Sequence, residues 1–194
     1  MYKVNDSLLE RQIKSDKSDR NFLLVIIFLL VVMTVISTLS QFVFLSVSVS
    51  GPSMQPTLYT GDVVTVNRCK KVKENDIIVI SGEKEYWLIK RVIACNTGDT
   101  IDIKDGYVIV NGNKRVENYG TTLPHSSQIK YPIQLKEGEV FYLGDNRGNS
   151  SDSRDYGTCT YEQVVGVVED WSMKTKGINS FFFKVSNKLK GMFK

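Results

Sequence analysis

The chain has 194 residues, with 25 lysines and arginines, 21 acids and one histidine, for a formal charge of +4. That length holds one ordinary domain plus extensions. Five of the cations and four of the acids lie in residues 1–20, and six lysines with no acid lie in residues 171–194, which leaves 14 cations against 17 anions between them. The middle is therefore mildly acidic, which argues against a nucleic-acid binder.

Residues 1–20 read as a polar cytoplasmic stub and residues 21–46 as a transmembrane anchor helix. No charged residue occurs between Arg20 and Asp62, and Phe22 to Leu45 is almost wholly apolar. Those 24 residues as a helix run about 36 Å, enough to cross a hydrocarbon core of roughly 30 Å. Arg11, Lys14, Lys17 and Arg20 crowd the N-terminal flank, whereas the next cation is Arg68. Positive-inside logic places the N-terminus in the cytoplasm and everything after the span outside the cell membrane. The run is too long for a cleaved signal, and Ala94 is the only alanine, so an uncleaved anchor is the reading. Ser46-Val47-Ser48 leaves trimming open as a small-x-small site.

Residues 47–170 predict an extracytoplasmic, all-β, mostly antiparallel domain. β-branched runs at 62–66, 77–80, 86–93, 100–103, 107–110, 140–143 and 164–168 are separated by turn signals. Lys104-Asp105-Gly106 and Val110-Asn111-Gly112-Asn113 carry the residues that tight hairpins require. No soluble helix is expected there, and residues 115–138 read as a long polar excursion on the rim. Residues 171–194 form a basic, aromatic tail that suits an anionic bilayer surface or an equally plain frayed end. Cys69, Cys95 and Cys159 are scattered and odd in number; with one histidine they lack ligand spacing, so no metal and no cofactor is expected.

Three segments carry chemistry. Ser53 lies in Ser50-Gly51-Pro52-Ser53-Met54-Gln55-Pro56-Thr57-Leu58, where turn formers restrict the backbone on both sides of one hydroxyl. A serine is a weak nucleophile until a neighbouring base takes its proton, and the segment alone also reads as an ordinary turn. Lys90 lies in Trp87-Leu88-Ile89-Lys90-Arg91-Val92-Ile93, where strand alternation sets it between Leu88 and Val92. Burial there disfavours the ammonium and would make the amine a base; an edge lysine that snorkels is the plain alternative. The third is Gly144-Asp145-Asn146-Arg147-Gly148-Asn149-Ser150-Ser151-Asp152-Ser153-Arg154, dense in turn formers and hydrogen-bonding side chains.

In that order, and behind an N-terminal anchor, these blocks resemble the bacterial type I signal peptidase family over nearly the whole chain. The resemblance implies a serine endopeptidase with a Ser–Lys dyad. It would cleave signal peptides from exported pre-proteins after small side chains at the first and third positions before the cut. By the match Ser53 is the acylated nucleophile, Lys90 the general base and Ser150 a partner that holds the lysine. Met54, Asp145, Asn146, Arg147, Asp152 and Arg154 fall on positions that shape the site, the last two as an ion pair. Gly51 stands where some members carry an oxyanion-hole serine, which leaves the second donor open. The implied partners are signal-bearing pre-proteins and the lipid bilayer, with no nucleic acid and no metal.

Competing readings are a self-cleaving repressor, a Ser–His hydrolase built on His125, and a non-enzymatic membrane-anchored β-module. The anchor and the lack of a basic helix-turn-helix segment argue against the first. A lone histidine in the polar loop Leu123-Pro124-His125-Ser126 argues against the second.

Overall fold

The longest apolar run makes the longest helix. A computed structural model describes residues 4–82 and 86–192, and in it α1 spans Val4–Val43. Its stretch Asp19–Val43, 25 residues, is long and apolar enough to cross a membrane. Large apolar side chains from Phe22 to Phe42 are exposed around its circumference, the pattern of a helix whose solvent is lipid. The polar residues before the run, expected as a stub, continue the same helix from Val4.

The remainder is mostly antiparallel β, as the β-branched runs predict. A seven-stranded sheet runs in the order β1-β2-β11-β3-β4-β9-β10, with β1 Phe44–Ser48, β2 Val63–Asn67, β3 Ile77–Ser81, β4 Trp87–Ala94, β9 Glu139–Leu143, β10 Cys159–Thr160 and β11 Val164–Val168. A four-stranded sheet runs β7-β6-β5-β8, with β5 Thr100–Lys104, β6 Tyr107–Val110, β7 Asn113–Lys114 and β8 Ile133–Gln134. Both hairpin signals fold as their residues require. Asp105 and Gly106 take φ of 53° and 81° between β5 and β6, and Asn111 and Gly112 take 51° and 78° between β6 and β7, the pair of positive values of a type I′ turn.

Ile93, Ala94, Phe141 and Leu143 from the large sheet bury with Ile101, Ile103 and Val108 from the small one, which joins the two sheets through one apolar core. β4 lies between β3 and β9, so its centre is covered on both edges. Three features depart from the expectation of strands and loops alone. Ser153–Tyr156 forms a short helix, α2, because Asp152 and Asp155 make a reciprocal capping box. The tail is helical in α3, Asp170–Lys174, and α4, Lys176–Met192. The excursion after β7 is tied down by cations: Arg147 Nη1 donates to Thr122 Oγ1 at 2.7 Å, and Arg154 Nη1 to Leu123 O at 3.3 Å.

Candidate active site

Ser53 opens a turn whose own residues fix it. Gly51 has φ of +89°, a conformation that costs glycine little and other residues more. Its carbonyl accepts from Thr60 Oγ1 at 3.2 Å. The Gln55 N–H donates to Pro52 O and the Leu58 N–H to Met54 O, at 3.1 and 2.9 Å. Met54 and Leu58 are fully buried and share a cluster with Val47, Val49 and Val64. Core packing thus grips the turn one residue beyond Ser53 and again five beyond. From across the site, the Asn146 N–H donates to Ser53 O at 3.0 Å and Asn146 Nδ2 to Pro52 O at 3.2 Å.

Lys90 comes from the middle of β4, opposite Ile78 of β3. It is 3% exposed, an unusual state for a lysine. Its Nζ lies 2.8 Å from Ser53 Oγ and donates to Ile89 O at 3.1 Å. Burial lowers the Lys90 pKa from 10.5 to about 8, against the upward pull of Asp152 and then Asp145. Lys90 is therefore neutral far more often near neutral pH than a lysine in water. A base at hydrogen-bond distance from a hydroxyl is what activation of that hydroxyl needs.

Two carboxylates frame the pair. Asp145 accepts from Arg91 Nε and Nη2, both at 2.7 Å, and from Thr57 Oγ1. One buried carboxylate therefore ties the residue after Lys90 to the turn that carries Ser53. Asp152 accepts from Arg154 Nε at 2.8 Å and Nη2 at 2.9 Å, and from the Gly144 N–H at 3.0 Å. Burial on its own would raise the Asp152 carboxyl, but the Arg154 hydrogen bonds and charge, with the Gly144 N–H, hold it below the usual range.

Arg147 is buried yet turns away from the serine and lysine. It donates to Gly144 O at 3.0 Å, pairs with Glu117 at 2.7 Å and stacks on Tyr119. Arg91 lies over the same ring, at 5.2 Å from its centroid. Ser150 differs from expectation. Its Oγ makes no regular hydrogen bond among the described residues, so it does not hold Lys90. The hydroxyl packs over Gly144, where a Cβ would stand 2.1 Å from it, and it faces Asp152 closely enough to favour the ionised carboxyl. Lys90 Nζ is engaged instead by Ser53 and Ile89.

Ser53, Met54 and Lys90 line one groove of about 500 Å³, between residues 47–50 at the end of β1 and residues 86–90 entering β4. A separate cavity of about 200 Å³, with Ile80, Tyr142, Tyr156 and Cys159 in its wall, includes neither Ser53 nor Lys90. His125 Nδ1 is 3.2 Å from Asp155 Oδ2. These two lie beside Asp152, whose oxygens are already taken by Arg154 and Gly144. The sequence does not mark Thr57, Arg91, Glu117 and Tyr119 as site residues. Their roles depend on partners 28 to 88 positions away, and neither strand alternation nor turn chemistry carries such a signal.

The family model described as "Signal peptidase, peptidase S26" matches residues 20–171. The relative named "Signal peptidase I P" from Bacillus subtilis subsp. natto is 34% identical over 155 residues, 73% of this chain and 83% of its own length. "Signal peptidase I" from Bacillus caldolyticus is 34% identical over 155 residues, 72% of this chain and 85% of its own. A crystal structure of a signal peptidase I from Enterococcus faecalis aligns at 28% identity with a TM-score of 0.44, over 52% of this chain and 98% of that one.

Proposed function

The chain belongs to the signal peptidase (peptidase S26) family, and from that premise we propose that it is a membrane-anchored serine endopeptidase that cuts signal peptides with a Ser53–Lys90 dyad. The observation that carries the assignment is the 2.8 Å approach of Nζ to Oγ, with burial lowering Lys90 to about 8. With Lys90 neutral, the Ser53 hydroxyl donates its proton to the Nζ lone pair as Oγ attacks the scissile carbonyl. The tetrahedral oxyanion takes a hydrogen bond from the Ser53 N–H. Lys90, now an ammonium, protonates the departing amine, and the peptide C–N bond breaks to leave an ester on Ser53. A water then gives a proton to the neutral lysine and attacks the ester. Lys90 returns the proton to Ser53 Oγ as the signal peptide leaves with a free carboxylate.

The open strand end at Val47–Ser50 and the entry to β4 supply two lengths of backbone beside Ser53, which supports an extended peptide held as an added strand. Val47, Val49, Met54 and Ile89 give that groove apolar walls. A preference for small side chains at the first and third positions before the cut follows from family membership. Asp145 and Arg91 keep the turn and β4 in register. Asp152 and Arg154 stabilise the loop that carries Gly144 and Ser150. The α1 span, with its cationic N-terminal flank, supports a single pass with the N-terminus in the cytoplasm and the β domain outside.

Purified protein is incubated with a signal-bearing precursor and the new N-terminus is sequenced. Cleavage after small residues, abolished by Ser53→Ala in a variant that still folds, is the expected result. Cleavage that persists in Ser53→Ala refutes the dyad.

A further inference from the structure

The groove and its surrounding carboxylates leave α4 without a task. Its polar side fastens it to the β domain: Ser180 Oγ donates to Gly61 O at 3.0 Å and Asn179 Nδ2 to Val63 O at 3.4 Å. Three of its apolar residues face elsewhere. Ile178, Phe181 and Val185 are spaced three and four apart, on one side of the helix. They retain 60%, 64% and 41% exposure, whereas a helix that served only the fold would bury such a stripe. Trp171, just upstream in α3, is also exposed.

We propose that α4 is an interfacial helix that lays this stripe on an anionic bilayer surface. Charge selects the occupant. Lys184 and Lys188 of α4 are exposed, as is Lys174 at the end of α3, and residues 171–194 hold six lysines and no acid. An apolar stripe edged by lysines is the composition of a helix lying at the headgroup boundary. A second copy of the chain would set cation against cation across the same face, which opposes a symmetric pair. The attachment points Gly61 and Val63 directly follow the turn that carries Ser53, so a docked α4 holds that turn at the surface where membrane-borne substrates emerge. The inference rests on the anchoring part of the reading above, because α1 is what brings α4 to a bilayer.

The test uses the full chain carrying Cys69→Ser and Ile178→Cys, with an environment-sensitive fluorophore at position 178; Cys95 and Cys159 are buried. The protein is placed in phosphatidylcholine nanodiscs with and without phosphatidylglycerol. Blue-shifted emission, quenched by brominated lipid and strongest with phosphatidylglycerol, is expected. Lys184→Gln and Lys188→Gln should each lower the docking equilibrium constant, read from the ratio of blue-shifted to water-like emission, about fivefold. Val185→Ser should slow cleavage of a membrane-inserted precursor while leaving hydrolysis of a soluble peptide in detergent unchanged. Water-like emission in both lipids overturns the proposal. So does a blue shift that persists in detergent and grows with protein concentration, which identifies a second copy as the occupant. Loss of soluble-peptide hydrolysis in the parent protein counts against the enzymatic assignment alone, since the fluorescence reads docking without turnover.

Discussion

Replacing Lys90 by methionine keeps the length and apolar character of the side chain and removes the amine. In the folded state Lys90 titrates at about 8, against 10.5 for a lysine in water. That lowering corresponds to roughly 3 kcal/mol. The sign follows from proton counting. Between about 8 and 10.5 the unfolded chain binds the proton and the folded chain does not, so stability rises with pH across that window. Below it both states are charged, and the folded state carries the full cost of a buried ammonium. Lys90→Met is therefore expected to stabilise the protein by roughly 3 kcal/mol near pH 6, and by almost nothing above about pH 10.5. It also abolishes cleavage. In the parent protein about a tenth of Lys90 is neutral at pH 7, so kcat/KM should climb nearly tenfold per unit below about pH 7, roughly fivefold more to pH 8, and level above about pH 9. Denaturant titrations of the detergent-solubilised chain at several pH values, with peptide hydrolysis across the same range, check both halves. A profile with its midpoint near 6.5, or a methionine variant that still cleaves, refutes the argument. So does a variant no more stable than the parent at low pH.

His125→Ala should leave processing intact and shift stability by no more than about 0.5 kcal/mol, because its ion-pair partner among the described residues is the part-exposed Asp155; lost activity would revive a histidine base. Asp145→Asn strips the carboxylate from a largely buried Arg91, 13% exposed, and is expected to cost about 3 kcal/mol in denaturant titration, with kcat falling as the Ser53 turn loosens from β4. Gly144→Ala would place a Cβ 2.1 Å from Ser150 Oγ and 2.6 Å from Ser53 O, at an expected cost of about 1–3 kcal/mol. Adding Ser150→Gly should recover part of that stability without restoring kcat, because the clash with the Ser53 carbonyl remains.

Local patterns in the chain determined a good deal. The uncharged run predicts α1, since length and composition alone decide whether a helix suits lipid. β-branched runs between turn signals predict β2 to β6, β9 and β11, and Asp105-Gly106 and Asn111-Gly112 predict two hairpins, since positive φ is a property of single residues. The two-residue strands β7, β8 and β10 carry too little period to be seen, and α2 depends on a capping box around Asp152. Sequence patterns left open whether the tail frays or forms a helix, and its contacts with Gly61 and Val63 stabilise the helical form. The motifs point to Ser53 and Lys90, 37 positions apart, but their 2.8 Å meeting is a product of packing. Met54 and Leu58 sink the turn into one core, β3 and β9 enclose β4, and Asp145 spans Thr57 and Arg91 across 88 and 54 positions. The lowered pKa of Lys90 belongs to the tertiary structure too, because desolvation is imposed by the neighbours that the folded chain brings together. Local sequence specifies which backbone each segment adopts, and only the closed fold specifies how far a charge is withdrawn from water.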